Sequence, residues 1–187
     1  MTSGLPLPAT GSLSSIPVAR TSLDNAVAAF IQGVASGVPA QAHRLVNSYS
    51  FALADAEPAY KSLLGRSGVN LPDGKPLVIA MNRLNPHGRP FEHVRGPLFF
   101  VKCLDEGRAL GVRQWFLGGS DELLESLRAE VDKRFPGTDI VGMISPPFRP
   151  LTEGERAEQD AKIKASGAQV VCRTWHPKTG PRGPTHL

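Results

Sequence analysis

Apolar and polar positions change their spacing several times along this chain. From Leu23 to Gly37 the run LDNAVAAFIQGVASG carries apolar residues at helical intervals. Ser22 precedes it with a capping hydroxyl, Asp24 places an acid in the first turn, and Gly37 closes the helix. AHRLVNSYSF predicts a strand running into a loop, and ALADAEPAYKSLLGRSG predicts helix on either side of Pro58. NLPDGKP is a turn by composition. The run LVIAMNRL suits a buried strand or a buried helix equally, since short apolar runs do not separate the two.

The second half is more regular. LFFVKCLDEGRALG predicts an amphipathic helix ending at Gly111, and VRQWFL a strand. Gly118, Gly119 and Ser120 then lead into DELLESLRAEVDKRF, where Leu123, Leu127 and Val131 share a face. Acids open that helix and Lys133 and Arg134 close it, as the helix dipole prefers. DIVGMI is a second strand and SPPFRPL a rigid loop. TEGERAEQDAKIKASG is a polar helix with a capping box from Thr152 to Glu155, and AQVV starts a third strand. Strands alternating with helices predict an α/β fold with a Rossmann-like, mainly parallel sheet flanked by helices. Ligands then bind where strands end and helices begin.

Both termini depart from this pattern. Residues 1–20, MTSGLPLPATGSLSSIPVAR, have the Gly, Pro and Ser content of a disordered tail. They lack the basic start and the apolar core of about 7–15 residues that mark a secretory signal. No run approaches the roughly 18 apolar residues that cross a bilayer. The chain is therefore expected in the cytoplasm. After Val171 the residues CRTWHPKTGPRGPTHL, 172–187, show no periodicity and predict an irregular tail.

Composition narrows the classes. With 187 residues, 41% of them apolar and 20% charged, the chain fits one ordinary globular domain, residues 21–171, between its tails. The 21 Lys and Arg against 17 Asp and Glu leave a net charge of +4, too small an excess to imply nucleic acid. Cys103 and Cys172 make no metal or redox spacing.

Several residues carry candidate chemistry, each beside a plainer role. Asp73, in Leu71-Pro72-Asp73-Gly74, is either a turn carboxylate bonding its own backbone or a general base on a glycine-flanked loop. Gly118-Gly119-Ser120 is a tight turn with a Ser cap, or a place where a sugar or nucleoside approaches the backbone. Asp121 and Glu122 would repel a diphosphate there. Asn47 can hydrogen-bond a hydroxyl or cap the next helix, and Arg95 can neutralise a phosphate or stay in solvent. His87, Glu92 and His93 match no zinc spacing and read as a solvated loop, so no metal is expected. Glu153, Glu155 and Glu158 read as a solvated helix face. The absence of GxGxxG, P-loop, HExxH and GxSxG motifs disfavours nicotinamide dehydrogenases, P-loop NTPases, zincins and lipase-type hydrolases.

Taken in order, VNSYSFALAD at 46–55, NLPDGKPLV at 70–78, VRGP at 94–97, FLGGS at 116–120 and RFPGTDIVGMISPPFRPLTEGE from Arg134 to Glu155 resemble the WecG/TagA/CpsF family of bacterial glycosyltransferases. The resemblance implies transfer of an N-acetylmannosamine-type sugar from a UDP-sugar donor to a lipid-linked saccharide acceptor. The products are cell-surface polymers such as teichoic acid linkage units and exopolysaccharide. It further implies inverting, metal-independent chemistry without a cofactor, at the inner face of the membrane. Peripheral membrane contact and a homo-oligomer are both compatible with it. The family's catalytic acid falls on Asp73, its strand asparagine on Asn47, and its glycine loop on Gly118 and Gly119. Three positions depart from the family pattern. Leu45 replaces a threonine, His93 an arginine, and Leu98 an acid, leaving Arg95 as the nearest cation to stand in at the second.

The tail departs furthest. Where the family continues Val-Gly-Leu-Gly-Thr-Pro-Lys-Gln, a one-nucleotide shift across Cys172 to Pro181 permits codons for VGLGTPKQD. This predicts a frameshifted chain lacking the C-terminal part of its domain, in which Lys178 inherits no family role and activity is impaired. The competing expectation is a catalytically inactive nucleotide-binding or interaction protein on the same scaffold; an unrelated α/β oxidoreductase would need a nicotinamide fingerprint that is missing.

Overall fold

The computed structural model describes residues 9–173, and these form two compact units, one up to Cys103 and one from Leu104 onward. Of the tail expected over 172–187, Cys172 and Arg173 instead continue the last strand, and residues 174–187 lie outside the described residues. Among the described residues no helix is long and apolar enough to cross a membrane.

The first unit opens with an antiparallel hairpin, β1 Thr10–Leu13 and β2 Ile16–Ala19. Ser14 and Ser15 both take positive φ at its turn, the geometry of a two-residue hairpin loop. This corrects the reading of residues 10–19 as tail. Ile16, Val18 and Ala19 are essentially fully buried, and a four-residue strand is too short to stand out from Gly- and Pro-rich surroundings. Arg20 fastens the hairpin's end by donating to the carbonyls of Asn85 and Arg89, with its guanidinium over the Phe91 ring.

Helix α1, Leu23–Ala35, follows its Ser22 cap, whose hydroxyl accepts from the Asn25 N–H. Strand β3, His43–Val46, does not run into a loop. It turns into helix α2, Ser48–Ala56, because Asn47 and Ser50 form a reciprocal capping box. Helix α3, Pro58–Gly65, begins at Pro58, where a missing N–H is tolerated. The segment assigned to a turn is partly strand β4, Val69–Pro72, with all four residues buried. Only Asp73 and Gly74 turn the chain, since parallel pairing with β3 outweighs local composition. The ambiguous run resolves as helix α4, Lys75–Leu84. Leu77 and Met81, four residues apart, are buried while Ile79 and Leu84 face solvent.

The β3–β4 sheet has both faces covered, as parallel sheets require. Ala26, Val27 and Ile31 of α1 pack with Val69, Leu71, Val94, Phe99 and Cys103 in one cluster. Val46 packs with Ile16, Val18, Ala54, Leu64, Leu77, Met81 and Phe91 in the other. Between them Asn70 is buried and donates to the carbonyls of Pro17 and Leu64, both at 2.8 Å.

Helix α5, Gly96–Arg108, carries the boundary between the units, and Gly111 at φ +63° follows it. The second unit is a parallel sheet ordered β6-β5-β7. Its strands are β5 Arg113–Leu117, β6 Asp139–Ile144 and β7 Val170–Arg173. Central β5 buries Gln114, Trp115 and Phe116. Helix α6, Asp121–Arg134, buries Leu124 and Val131, whereas Leu123 is 55% exposed. The predicted face holds at Val131 and, half-buried, at Leu127, while Leu124 takes the inward place expected of Leu123. Helix α7, Glu153–Ala165, opens with the expected Thr152–Glu155 capping box and buries no residue. The parallel strands therefore fall into two sheets where one was expected. Strand–helix alternation specifies parallel pairing between neighbours, but not how many strands share a sheet.

Candidate functional site

The first unit gathers several candidate residues at the C-terminal ends of β3 and β4. The Asp73 N–H donates to the Val46 carbonyl at 2.7 Å, so the residue after β4 is held against the end of β3. On the other side of β4, the Val94 N–H donates to the Pro72 carbonyl at 2.9 Å. Residues 93–96 are thereby drawn alongside Asp73. Gly74 takes φ +107°, a conformation side chains rarely adopt, and lets the chain enter α4 directly.

The Asp73 side chain is 30% exposed, and its Oδ1 lies 3.1 Å from Nε2 of His93, itself 23% exposed. Its Oδ2 faces Gly96, where a Cβ would sit 3.4 Å away. The half-exposed Leu45 side chain lies against the same glycine. A carboxylate with one oxygen held by an imidazole and the other beside a bare backbone can accept a proton from a bound hydroxyl.

Asn47 stands next to this group, its Cβ 3.7 Å from where a Gly74 Cβ would be. Its Oδ1 accepts from the N–H and hydroxyl of Ser50, so the capping role is real. Its exposed Nδ2 has no partner among the described residues and is available as a donor. Arg95 is exposed; its carbonyl accepts the Phe99 N–H in the first turn of α5.

His93 is the residue that sequence reasoning undervalued. The segment around it is not simply a solvated loop. Asn82 donates to the Phe91 carbonyl at 3.0 Å and accepts its N–H at 2.8 Å, and Phe91 and Val94 are buried. The signal was its place where the resembling family carries an arginine. His87, by contrast, is exposed. Among the described residues no group of three or more His, Cys, Asp or Glu could hold a metal ion.

In the second unit Gly118, Gly119 and Ser120 follow β5. The Gly118 N–H donates to the Ile144 carbonyl at 2.9 Å, and the Gly119 carbonyl accepts from the Ser145 hydroxyl at 2.8 Å. The two loops after β5 and β6 are thus tied together. Gly118 and Gly119 have φ +118° and +82°, and a Cβ on Gly119 would lie 2.8 Å from Leu123 Cδ2. The turn therefore needs glycine for its own sake, and Ser120 caps α6 through the Leu123 N–H. Beside β6 a shallow hollow of about 150 Å³ is lined by Ser145, Pro146, Pro147, Leu151 and Gln159. Glu155 borders it too, gripped by both Arg149 nitrogens at 2.7 and 2.6 Å. The Arg149 guanidinium and the Thr152 N–H hold the Glu155 carboxyl down at about 2. Glu155 is therefore a capping and ion-paired residue, not merely part of a solvated face.

Comparison with known proteins adds the family. The model of the glycosyl transferase WecG/TagA/CpsF family matches residues 12–173. Among curated proteins nothing matches the chain. Since the family match covers most of the chain, including Asn47, Asp73, Arg95 and the Gly118–Ser120 loop, this protein belongs to the WecG/TagA/CpsF family of glycosyltransferases.

Proposed function

We propose that the protein transfers an N-acetylmannosamine-type sugar from a UDP-sugar to a lipid-linked saccharide acceptor, with Asp73 as the general base. The observation that carries this reading is the Asp73 carboxylate at the ends of two parallel strands, one oxygen engaged by His93 and the other beside Gly96. In the proposed step an acceptor hydroxyl oxygen attacks the anomeric carbon. The new C–O bond forms as the bond from that carbon to the diphosphate oxygen breaks, and its electron pair leaves with UDP. The hydroxyl proton passes to Asp73. A single in-line displacement of this kind inverts the anomeric centre.

Asn47, whose Cβ lies beside Gly74, supports the reading by offering its Nδ2 as a donor for a sugar or acceptor hydroxyl. Arg95 contributes a cation that can neutralise phosphate charge. Gly118, Gly119 and Ser120 are assigned to the sugar or nucleoside of the donor rather than to a phosphate cradle, because Asp121 and Glu122 occupy the helix's first turn. These assignments fit action at the inner face of a cell membrane, where lipid-linked acceptors are presented.

The test is sugar transfer from UDP-N-acetylmannosamine to a lipid-linked saccharide, comparing the wild-type chain with Asp73→Asn. The amide keeps the shape but cannot take the proton, so kcat should fall by roughly 10²–10⁴-fold. Equal rates for the two proteins, or a product with retained anomeric configuration, would overturn the assignment. Binding of UDP without turnover in the wild type would instead favour an inactive nucleotide-binding protein.

A further inference from the structure

We infer that His93 is a positioning residue for the transfer reaction, holding the Asp73 carboxylate in one orientation so that a single oxygen is left for the acceptor proton. This rests on the reading of Asp73 as the base. Three observations carry it. First, Nε2 of His93 lies 3.1 Å from Oδ1 of Asp73, and both side chains are only partly exposed. Second, the backbone carrying the imidazole is fixed on both sides. Phe91 is bonded in both directions to the Asn82 amide, and Val94 is bonded to the Pro72 carbonyl. A ring mounted on so short a span between buried anchors has little freedom to follow a moving carboxylate. Third, the other oxygen, Oδ2, faces Gly96. The two oxygens are thus inequivalent, one bonded to the imidazole and one against the side-chain-free Gly96.

An ionised carboxylate only accepts hydrogen bonds, so with Asp73 ready to act as base the imidazole must donate from Nε2. A neutral ring meeting this requirement carries its proton on Nε2 and its lone pair on Nδ1. The bond confines the carboxylate to one rotamer, which is what a proton acceptor working over hydrogen-bond distance requires. His93 itself touches neither sugar nor acceptor in this scheme.

The experiment combines kinetics and NMR on the full chain. His93→Ala should lower kcat about 10-fold or more, the scale of a lost hydrogen bond to a charged group, while the donor KM stays within about 2-fold. His93→Gln, whose side-chain amide can still donate, should restore most of kcat. A role confined to folding would not produce this split or this rescue. The double variant Asp73→Asn/His93→Ala should be no slower than Asp73→Asn alone, since His93 acts only through that carboxylate. Unchanged kcat in His93→Ala, or additive losses in the double variant, would overturn the inference. A wild-type chain that transfers no sugar would sink the function reading instead. The contact is then judged by long-range ¹H–¹⁵N imidazole spectra, with the His93 signal identified by its loss in His93→Gln. An Nε2–H resonance that moves in Asp73→Asn supports the contact, and one that stays put overturns it.

Discussion

Asn82 does for the Asp73 neighbourhood what no strand or helix does. Its side-chain amide donates to and accepts from Phe91, satisfying backbone that would otherwise be stranded beside the core. Asn82→Ala should cost about 1–3 kcal/mol, the penalty for leaving such groups unpaired, read from urea unfolding midpoints. A second residue-scale prediction concerns Glu155, whose carboxyl is held at about 2 against an ordinary 4.5. A depressed folded pKa gives stability that is present above about 4.5 and lost as pH falls toward 2. The melting temperature of the wild type should therefore exceed that of Glu155→Gln at neutral pH, and the gap should close between these limits. A gap independent of pH would show that the Arg149 pair contributes nothing through ionisation.

At the level of elements, helix caps were readable because they are local. Ser22, Ser120 and Thr152 each accept an N–H within their own helix's first turn. The β4 strand was not readable, because Pro72, Asp73 and Gly74 carry turn chemistry while its pairing partner lies far back in the chain. The same holds for Gly142 in β6. Its sequence context, DIVGMI, shows only a strand, yet a Cβ there would drive into the Trp115 ring of β5. Gly142→Ala should destabilise the protein by about 1–3 kcal/mol through overpacking, measured by thermal or urea unfolding; a neutral effect would mean the indole can move aside.

For the whole molecule, the hairpin of β1 and β2 changes what truncation should do. A tail of residues 1–20 would be dispensable. Instead Ile16 and Val18, at 1% and 0% exposure, belong to the cluster with Val46, Leu77, Met81 and Phe91. Deleting residues 1–20 should therefore lower the melting temperature by many degrees and expose apolar surface to a hydrophobic dye, whereas an unchanged melting curve would contradict the burial. The lesson is one of length. Four-residue strands offer too few positions for alternation to rise above composition.

Local rules in the sequence settled the helix caps, the α/β alternation and an ordered motif set that marks the glycosyltransferase family, because each depends on residues a few positions apart. They also singled out Asp73 and Asn47. Only the tertiary structure decided that His93 meets Asp73 across 20 residues of chain, that Gly96 borders the second carboxylate oxygen, and that the parallel strands divide between two sheets. Those outcomes depend on which strand ends pack side by side, and such pairing is chosen by burial over the whole chain rather than by any one stretch of it.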